Sequence, residues 1–263
     1  MVIQQIKSED RTSQSLSYNK IVAFHKPKLI YATWIIDNYS TNLYRYKRVM
    51  LQVKSFVFGP VQENTYVVYD DTQEGLIIDP GCYDHHEQLE LTNFIDEQGI
   101  SIKLILNTHC HFDHVLGNEF AKQTYKVPLA IPSGEKDTFA AVKAYAPIYG
   151  FGNYQEAEVD QYLEEENVIS FGNTQLDILL LPGHSPGHLA FLHELSNTCL
   201  SGDVLFKDSI GRTDLPGGDH QTLIDSIQQK LFKLPDEVIV YCGHGPPTTI
   251  GQEKRTNPFC AIH

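Results

Sequence analysis

Hydrophobic and polar positions fall into a regular order only from Met50 onward. Residues 51–58 (LQVKSFVF) alternate and predict a half-buried strand, and 65–69 (TYVVY) and 75–79 (GLIID) predict two more. Over 84–98 the apolar residues recur at helical spacing through Leu89, Phe94 and Ile95, and Gly99 marks the stop. A short buried strand is predicted at 103–106 (KLIL), with helices at about 115–125, 135–146 and 219–233. Further strands are expected at 166–170, 174–181, 188–193, 198–202 and 237–241. Strands interleaved with helices predict an α/β fold. The hairpin-like early and middle strands predict two sheets rather than one doubly wound sheet.

Residues 1–49 break this order. They show no sustained period of 2 or 3.6, and they hold the chain's single Trp, Trp34. They carry eight Lys or Arg against three acids, which leaves 12 basic and 30 acidic residues from position 50 on. A leader of +5 therefore precedes a body of −18, together the −13 of the whole chain. The expected organisation is a leader over 1–49 and one folded domain over 50–263. The leader is expected to be disordered, either through a start codon placed upstream of a true start at Met50 or as a targeting or partner-binding arm.

The charge changes the list of partners. An acidic body lacks the clustered Lys and Arg that neutralise phosphates, so no nucleic-acid partner is expected, although a small anionic substrate held by local cations stays open. No apolar run approaches the ~20 residues that span a bilayer, so no membrane partner is expected either. The five cysteines, Cys82, Cys110, Cys199, Cys242 and Cys260, are odd in number, widely spaced and without a C-x-x-C pair. They read as reduced, buried thiols of a cytoplasmic protein, a monomer or homodimer.

The chemistry concentrates just past the strand at 103–106. Thr108-His109-Cys110-His111-Phe112-Asp113-His114 is an H-x-H-x-D-H cluster, and its imidazoles and carboxylate suit zinc, iron or manganese. In an extended segment His109 and His111 project from one face and reach one metal, while Cys110 points away. Asp113 and His114 lie where the chain turns into a helix and can serve a second metal. More ligands must come from elsewhere, and three positions have the right character. His184 lies in the 181–188 loop (LPGHSPGH), Asp203 ends the strand at 198–202, and His244 follows the strand at 237–241. Each stands at a strand end in a glycine-bearing loop, where an α/β scaffold aims residues at a shared cleft. His85, His86, His220 and His263 lack ligand context, and His188 and His193, in or near a strand, read as structural, with His188 adjoining the metal loop. There is no H-E-x-x-H and no P-loop lysine. Asp219 reads as an N-cap for the helix at 219–233.

T-H-C-H-F-D-H, G-H-S-P-G-H, S-G-D and C-G-H-G, in this order and with Ile78-Asp79-Pro80-Gly81 ahead of them, resemble the metallo-β-lactamase superfamily. Within it the chain is most similar to the glyoxalase II (hydroxyacylglutathione hydrolase) branch, over about Met50 to Phe259. The resemblance implies a four-layer αββα sandwich with metals at one edge between two sheets. It implies that His109, His111 and His184 bind a first metal, that Asp113, His114 and His244 bind a second, and that Asp203 bridges them. Two zinc ions per chain are the expected cofactors, with iron or manganese possible. The implied activity is hydrolysis of a thioester or ester carbonyl by a metal-bridging hydroxide. Asp113 has a second, catalytic role in orienting that nucleophile. Asp79 is expected to hydrogen-bond a ligand histidine from behind.

For the substrate, the resemblance implies that Arg212 holds a glutathione carboxylate, and Lys254 is expected to add positive charge. Asp214 stands where the family has a tyrosine, and the tail after His244 is too short for the helical domain that grips glutathione in full-length relatives. Two other readings remain open at this point: a mononuclear iron persulfide dioxygenase on the same fold, and a non-catalytic metal-bound scaffold. A nuclease of the ribonuclease Z kind would want a basic arm that the −18 body lacks.

Overall fold

The computed structural model describes residues 51–262. The leader expected over 1–49 lies outside the described residues. Chain order is β1 (Gln52–Phe58), β2 (Glu63–Tyr69), β3 (Glu74–Ile78), α1 (His85–Gln98), β4 (Ser101–Leu106), α2 (Phe112–Val115), α3 (Asn118–Tyr125), β5 (Leu129–Pro132), α4 (Lys136–Tyr145), β6 (Gln161–Leu163), β7 (Val168–Phe171), β8 (Thr174–Leu180), β9 (Leu189–His193), β10 (Thr198–Gly202), β11 (Leu205–Phe206), β12 (Ser209–Ile210), α5 (His220–Gln229), β13 (Ile239–Cys242), β14 (Thr248–Thr249) and α6 (Ile250–Thr256).

Twelve of the strands form two six-stranded sheets, β1-β2-β3-β4-β5-β6 and β14-β13-β10-β9-β8-β7, and β11 pairs with β12 in a separate ribbon. In the first, β1, β2 and β3 form an antiparallel meander and β3 to β6 run parallel. In the second, β7 to β10 are antiparallel, β13 joins β10 in parallel, and β14 closes the edge.

Strand periodicity explains the layering. Tyr66 and Val68 of β2, Leu76 and Ile78 of β3 and Leu104 and Leu106 of β4 meet Ile178, Leu189, Phe191 and Leu200 of the second sheet in one core. The alternate residues, Val67, Ile77 and Ile105, face the other way and pack on Leu91 and Ile95 of α1 and on Val115. On the far side Ala190, Leu192 and Val240 pack on Leu223 and Ile227 of α5 and on Ile250. The result is the expected αββα sandwich, and strands such as β3 and β9 read as near-continuous apolar runs because both of their faces are covered.

The helix ends follow local chemistry. Asp84 caps α1 through a capping box with Glu87, and Gly99 ends it in the left-handed conformation at φ 64°. Asp219 caps α5 by accepting from the Thr222 N–H at 2.8 Å, as expected. The helix expected at 115–125 is two pieces, broken at Leu116–Gly117, where the Gly117 N–H turns away to donate to the Pro80 carbonyl at 2.7 Å. Among the described residues no helix is long and apolar enough to cross a membrane.

Candidate metal centre

The C-terminal ends of β3, β4, β10 and β13 open on one edge of the sandwich, and the β8–β9 loop reaches the same edge. The two sheets are tied together there: the Asn64 side chain donates to the Cys242 and Gly245 carbonyls at 2.9 and 2.8 Å, and Tyr66 Oη donates to the Cys242 carbonyl at 2.6 Å. The seven ligand positions read from the sequence converge on this edge in two groups. His111 Nδ1 and His109 Nε2 lie 2.8 and 3.3 Å from His184 Nε2. Asp113 Oδ2 lies 3.2 Å from His244 Nε2 and 3.7 Å from His114 Nε2. Asp203 stands between the groups, with Oδ2 at 3.5 Å from both His184 Nε2 and His244 Nε2 and Oδ1 at 3.5 Å from His114 Nε2.

Each histidine is oriented from behind, which decides the nitrogen it presents. His184 Nδ1 donates to the Arg212 carbonyl at 2.8 Å. His244 Nδ1 points at the Val61 and Gln62 carbonyls, both at 3.1 Å. His114 Nδ1 donates to Asp79 Oδ2 at 3.1 Å, and His109 Nδ1 lies 3.1 Å from Thr108 Oγ1. Thr108 in turn donates its hydroxyl and its N–H to the two oxygens of Asp79, both at 2.6 Å. Asp79 thus orients a histidine in each group, and the structure places it where the sequence expected. Its backbone sits at φ 50°, a strained conformation for a non-glycine residue.

The electrostatics suit cations. Burial, followed by the surrounding imidazoles, holds His109 well below its ordinary pKa, and burial and His184 bring His111 down to about 4. Both rings are therefore neutral and offer lone pairs at neutral pH. Burial works against ionisation of Asp203, but His114, His184 and His244 outweigh it and hold this carboxyl far below its usual range. Asp113 is lowered in the same way, burial being overcome by His114 and His244. His114 Nε2 and Asp203 Oδ1 are buried without a hydrogen-bond partner, an arrangement that costs energy unless something else fills the coordination. Two groups of convergent N and O donors with orphaned atoms aimed between them fit metal ions.

Several residues were read differently from the sequence. Lys254, expected to supply charge to a substrate, donates instead to the Leu234 carbonyl and to Asp236 Oδ1, so its ammonium is committed to the loop before β13. The reason is local: α6 lays Lys254 beside Asp236. Arg212 donates through two nitrogens to both oxygens of Asp214, at 2.7 and 2.8 Å, on the exposed rim. His188, expected to be structural but next to the metal loop, is fully buried against the site: its ring stacks on His109 at 4.8 Å and its Nε2 accepts the Asp203 N–H at 3.0 Å. Glu63 and Glu135 had gone unnoticed because a single Glu in a loop carries no spacing signal. Both are buried, and Glu63 Oε1 lies 3.9 Å from His114 Nδ1. Cys110 is buried in the outer core, as expected, and all five cysteines are free.

The profile of the metallo-beta-lactamase superfamily matches residues 58–244, a span that holds every residue of the cluster. The chain belongs to the metallo-beta-lactamase superfamily. It is 40% identical to a Haemophilus influenzae protein named hydroxyacylglutathione hydrolase GloC, over 75% of this chain and 92% of that one. Among solved structures it resembles BLEG-1, a B3 metallo-beta-lactamase, at a TM-score of 0.74 and 36% identity, over 80% of this chain and all of the other. It also resembles TTHA1623 in a di-iron-bound form, at 0.70 and 36%, over 79% of this chain and all of that one. The protein is a metallo-hydrolase of this superfamily, with His and Asp clusters built for a binuclear site.

Proposed function

We propose that this metallo-hydrolase cleaves small acyl thioesters, in the manner of hydroxyacylglutathione hydrolases, with two zinc or iron ions. The observation that carries the reading is Asp203, whose one carboxylate lies 3.5 Å from ligands of both groups and so serves both. The 40% identity to GloC supports a thioester rather than another carbonyl. Two ions held at such a site supply a water of near-neutral pKa and an electrophile for the carbonyl oxygen. The chain's own part is to place and hold. His109 and His111 stay neutral, and Asp113 Oδ2, at 13% side-chain exposure beside His244, is placed to accept the proton of the attacking water. A protein nucleophile is not needed, and burial pushes the nearby thiols out of reach of one: Cys110 is raised well above its ordinary pKa and Cys242 to about 12.

The walls beside the metals bear on the acyl or thiol group. Phe112, between two ligands in sequence, stacks on the exposed Tyr149 at 5.3 Å, and Tyr145 closes edge-on at 6.3 Å. Arg212 is neutralised by Asp214. An apolar wall and a spent cation favour thioesters of modest charge over the full glutathione tripeptide.

Elemental analysis of the purified protein, paired with hydrolysis assays on S-lactoylglutathione, a neutral acyl thioester and a penicillin, tests the reading. Two ions per chain and turnover of thioesters but not of the penicillin are expected. A single iron with oxygen-dependent turnover, or cleavage of the penicillin alone, would replace it.

A further inference from the structure

Glu135 ends the short 3-10 turn Ser133–Glu135 after β5, and its side chain is fully buried. A carboxyl group in that position is costly unless its oxygens are used. Here both are used by backbone. Oε2 accepts from the Cys110 N–H at 3.3 Å, and Oε1 accepts from the Gly187 N–H at 2.7 Å. Cys110 stands between His109 and His111, and Gly187 belongs to the loop that carries His184. One side chain therefore joins the two loops that supply all three nitrogens of the first metal group. The joint is tight as well as bonded: a Cβ on Gly187 would lie 2.6 Å from the Gly134 carbonyl carbon, and one on Gly134 would lie 2.8 Å from the Gly187 Cα. The second group is supported elsewhere, by Asp79 behind His114 and by the Val61 and Gln62 carbonyls behind His244.

We propose that Glu135 is the positioning residue of the first metal group. It sets the spacing between the His109–His111 loop and the His184 loop, and so the affinity of that group for its ion, while leaving the Asp113–His114–His244 group alone. The inference rests on the reading that each group holds an ion.

Glu135→Gln tests it, because it keeps the size and one acceptor but turns an N–H donor against a backbone N–H. Metal-free full-length protein is titrated calorimetrically with Zn2+. Wild type is expected to take up two equivalents, and in Glu135→Gln one affinity falls about tenfold or more while the other holds. Ring-nitrogen NMR of the metal-free protein supplies a second arm: the signals of His109, His111 and His184 move, and those of His114 and His244 stay. Glu135→Asp, which keeps the charge but shortens the reach, shows the same pattern to a smaller degree and carries both arms if the Gln variant does not fold. Equal weakening of both affinities, or NMR shifts spread over both groups, would overturn the proposal. Wild type that binds only one ion would sink the two-ion reading, while the NMR arm still decides the role of Glu135.

Discussion

The main-chain N–H of Asp203 donates to His188 Nε2 at 3.0 Å, so the residue that stands between the two metal groups is fixed by a histidine that belongs to neither. Burial holds His188 well below its ordinary pKa, which keeps Nε2 an acceptor. His188→Phe would keep the stacking on His109 but leave that buried N–H without a partner. The metal-free variant is expected to lose about 1–3 kcal/mol in denaturant unfolding. Its metal content after dialysis should fall below that of wild type, and unchanged stability and content would separate His188 from the site.

Asp203→Ala removes the carboxylate that stands between the two groups. Metal content should drop by more than one ion per chain, and thioester turnover should fall at least about a hundredfold. Retention of two ions would show that the bridge is not what holds the pair.

Gly243→Ala places a methyl group against Asp203 Oδ1 and 2.9 Å from His114 Cε1. Overpacking there is expected to cost about 1–3 kcal/mol and to displace the carboxylate. Metal occupancy should fall while the far-ultraviolet circular dichroism of the apo protein stays that of wild type.

Asp214→Ala releases the Arg212 guanidinium, which Asp214 now occupies through both oxygens. KM for anionic thioesters should decrease in Asp214→Ala and change little in Arg212→Ala, with kcat near wild type in both. A large rise in KM in Arg212→Ala would restore the arginine as a direct substrate ligand.

Asp70, at the end of β2, accepts from the Thr72 N–H and hydroxyl, the Asn173 N–H and the Thr174 hydroxyl, and so ties the first sheet to the β7–β8 turn. Burial would raise its pKa, but these four donors outweigh it and bring it below the ordinary carboxylate value. A folded-state pKa below the unfolded one stabilises above the unfolded value, about 3.9, and that contribution fades as pH falls through the folded value. Asp70→Asn should therefore cost about 1–3 kcal/mol at pH 7 and progressively less below pH 4, as read from urea midpoints.

Most of the candidate centre was legible in the sequence because its residues are of rare type and stand at strand ends. His109, His111, Asp113 and His114 announce themselves by density, and His184, Asp203 and His244 by following apolar runs. Helix α1 and the meander β1 to β3 were legible through periodicity and the stop at Gly99. Strands β5 and β6 were not: β5 is buried throughout and ends in Pro132, and the three residues of β6 are too few to show a period. The supports were hidden for a different reason. What Glu135 and His188 do depends on which backbone N–H comes to lie opposite them, and that is settled by tertiary packing. Lys254 was misread because α6 is short, and its neighbour Asp236 belongs to another element.

The ligand His114 follows β4 of one sheet, whereas Asp203 and His244 follow β10 and β13 of the other, far along the chain. No short stretch of sequence contains a complete site. The four donors of 109–114 can hold an ion loosely in the unfolded chain, but either group is completed only by residues 184, 203 and 244, so an ion is not expected to nucleate folding as it does in a zinc finger. Tight binding is expected only once the sandwich has closed, so that ions act as a late lock: metal should slow unfolding strongly and leave the refolding rate almost untouched.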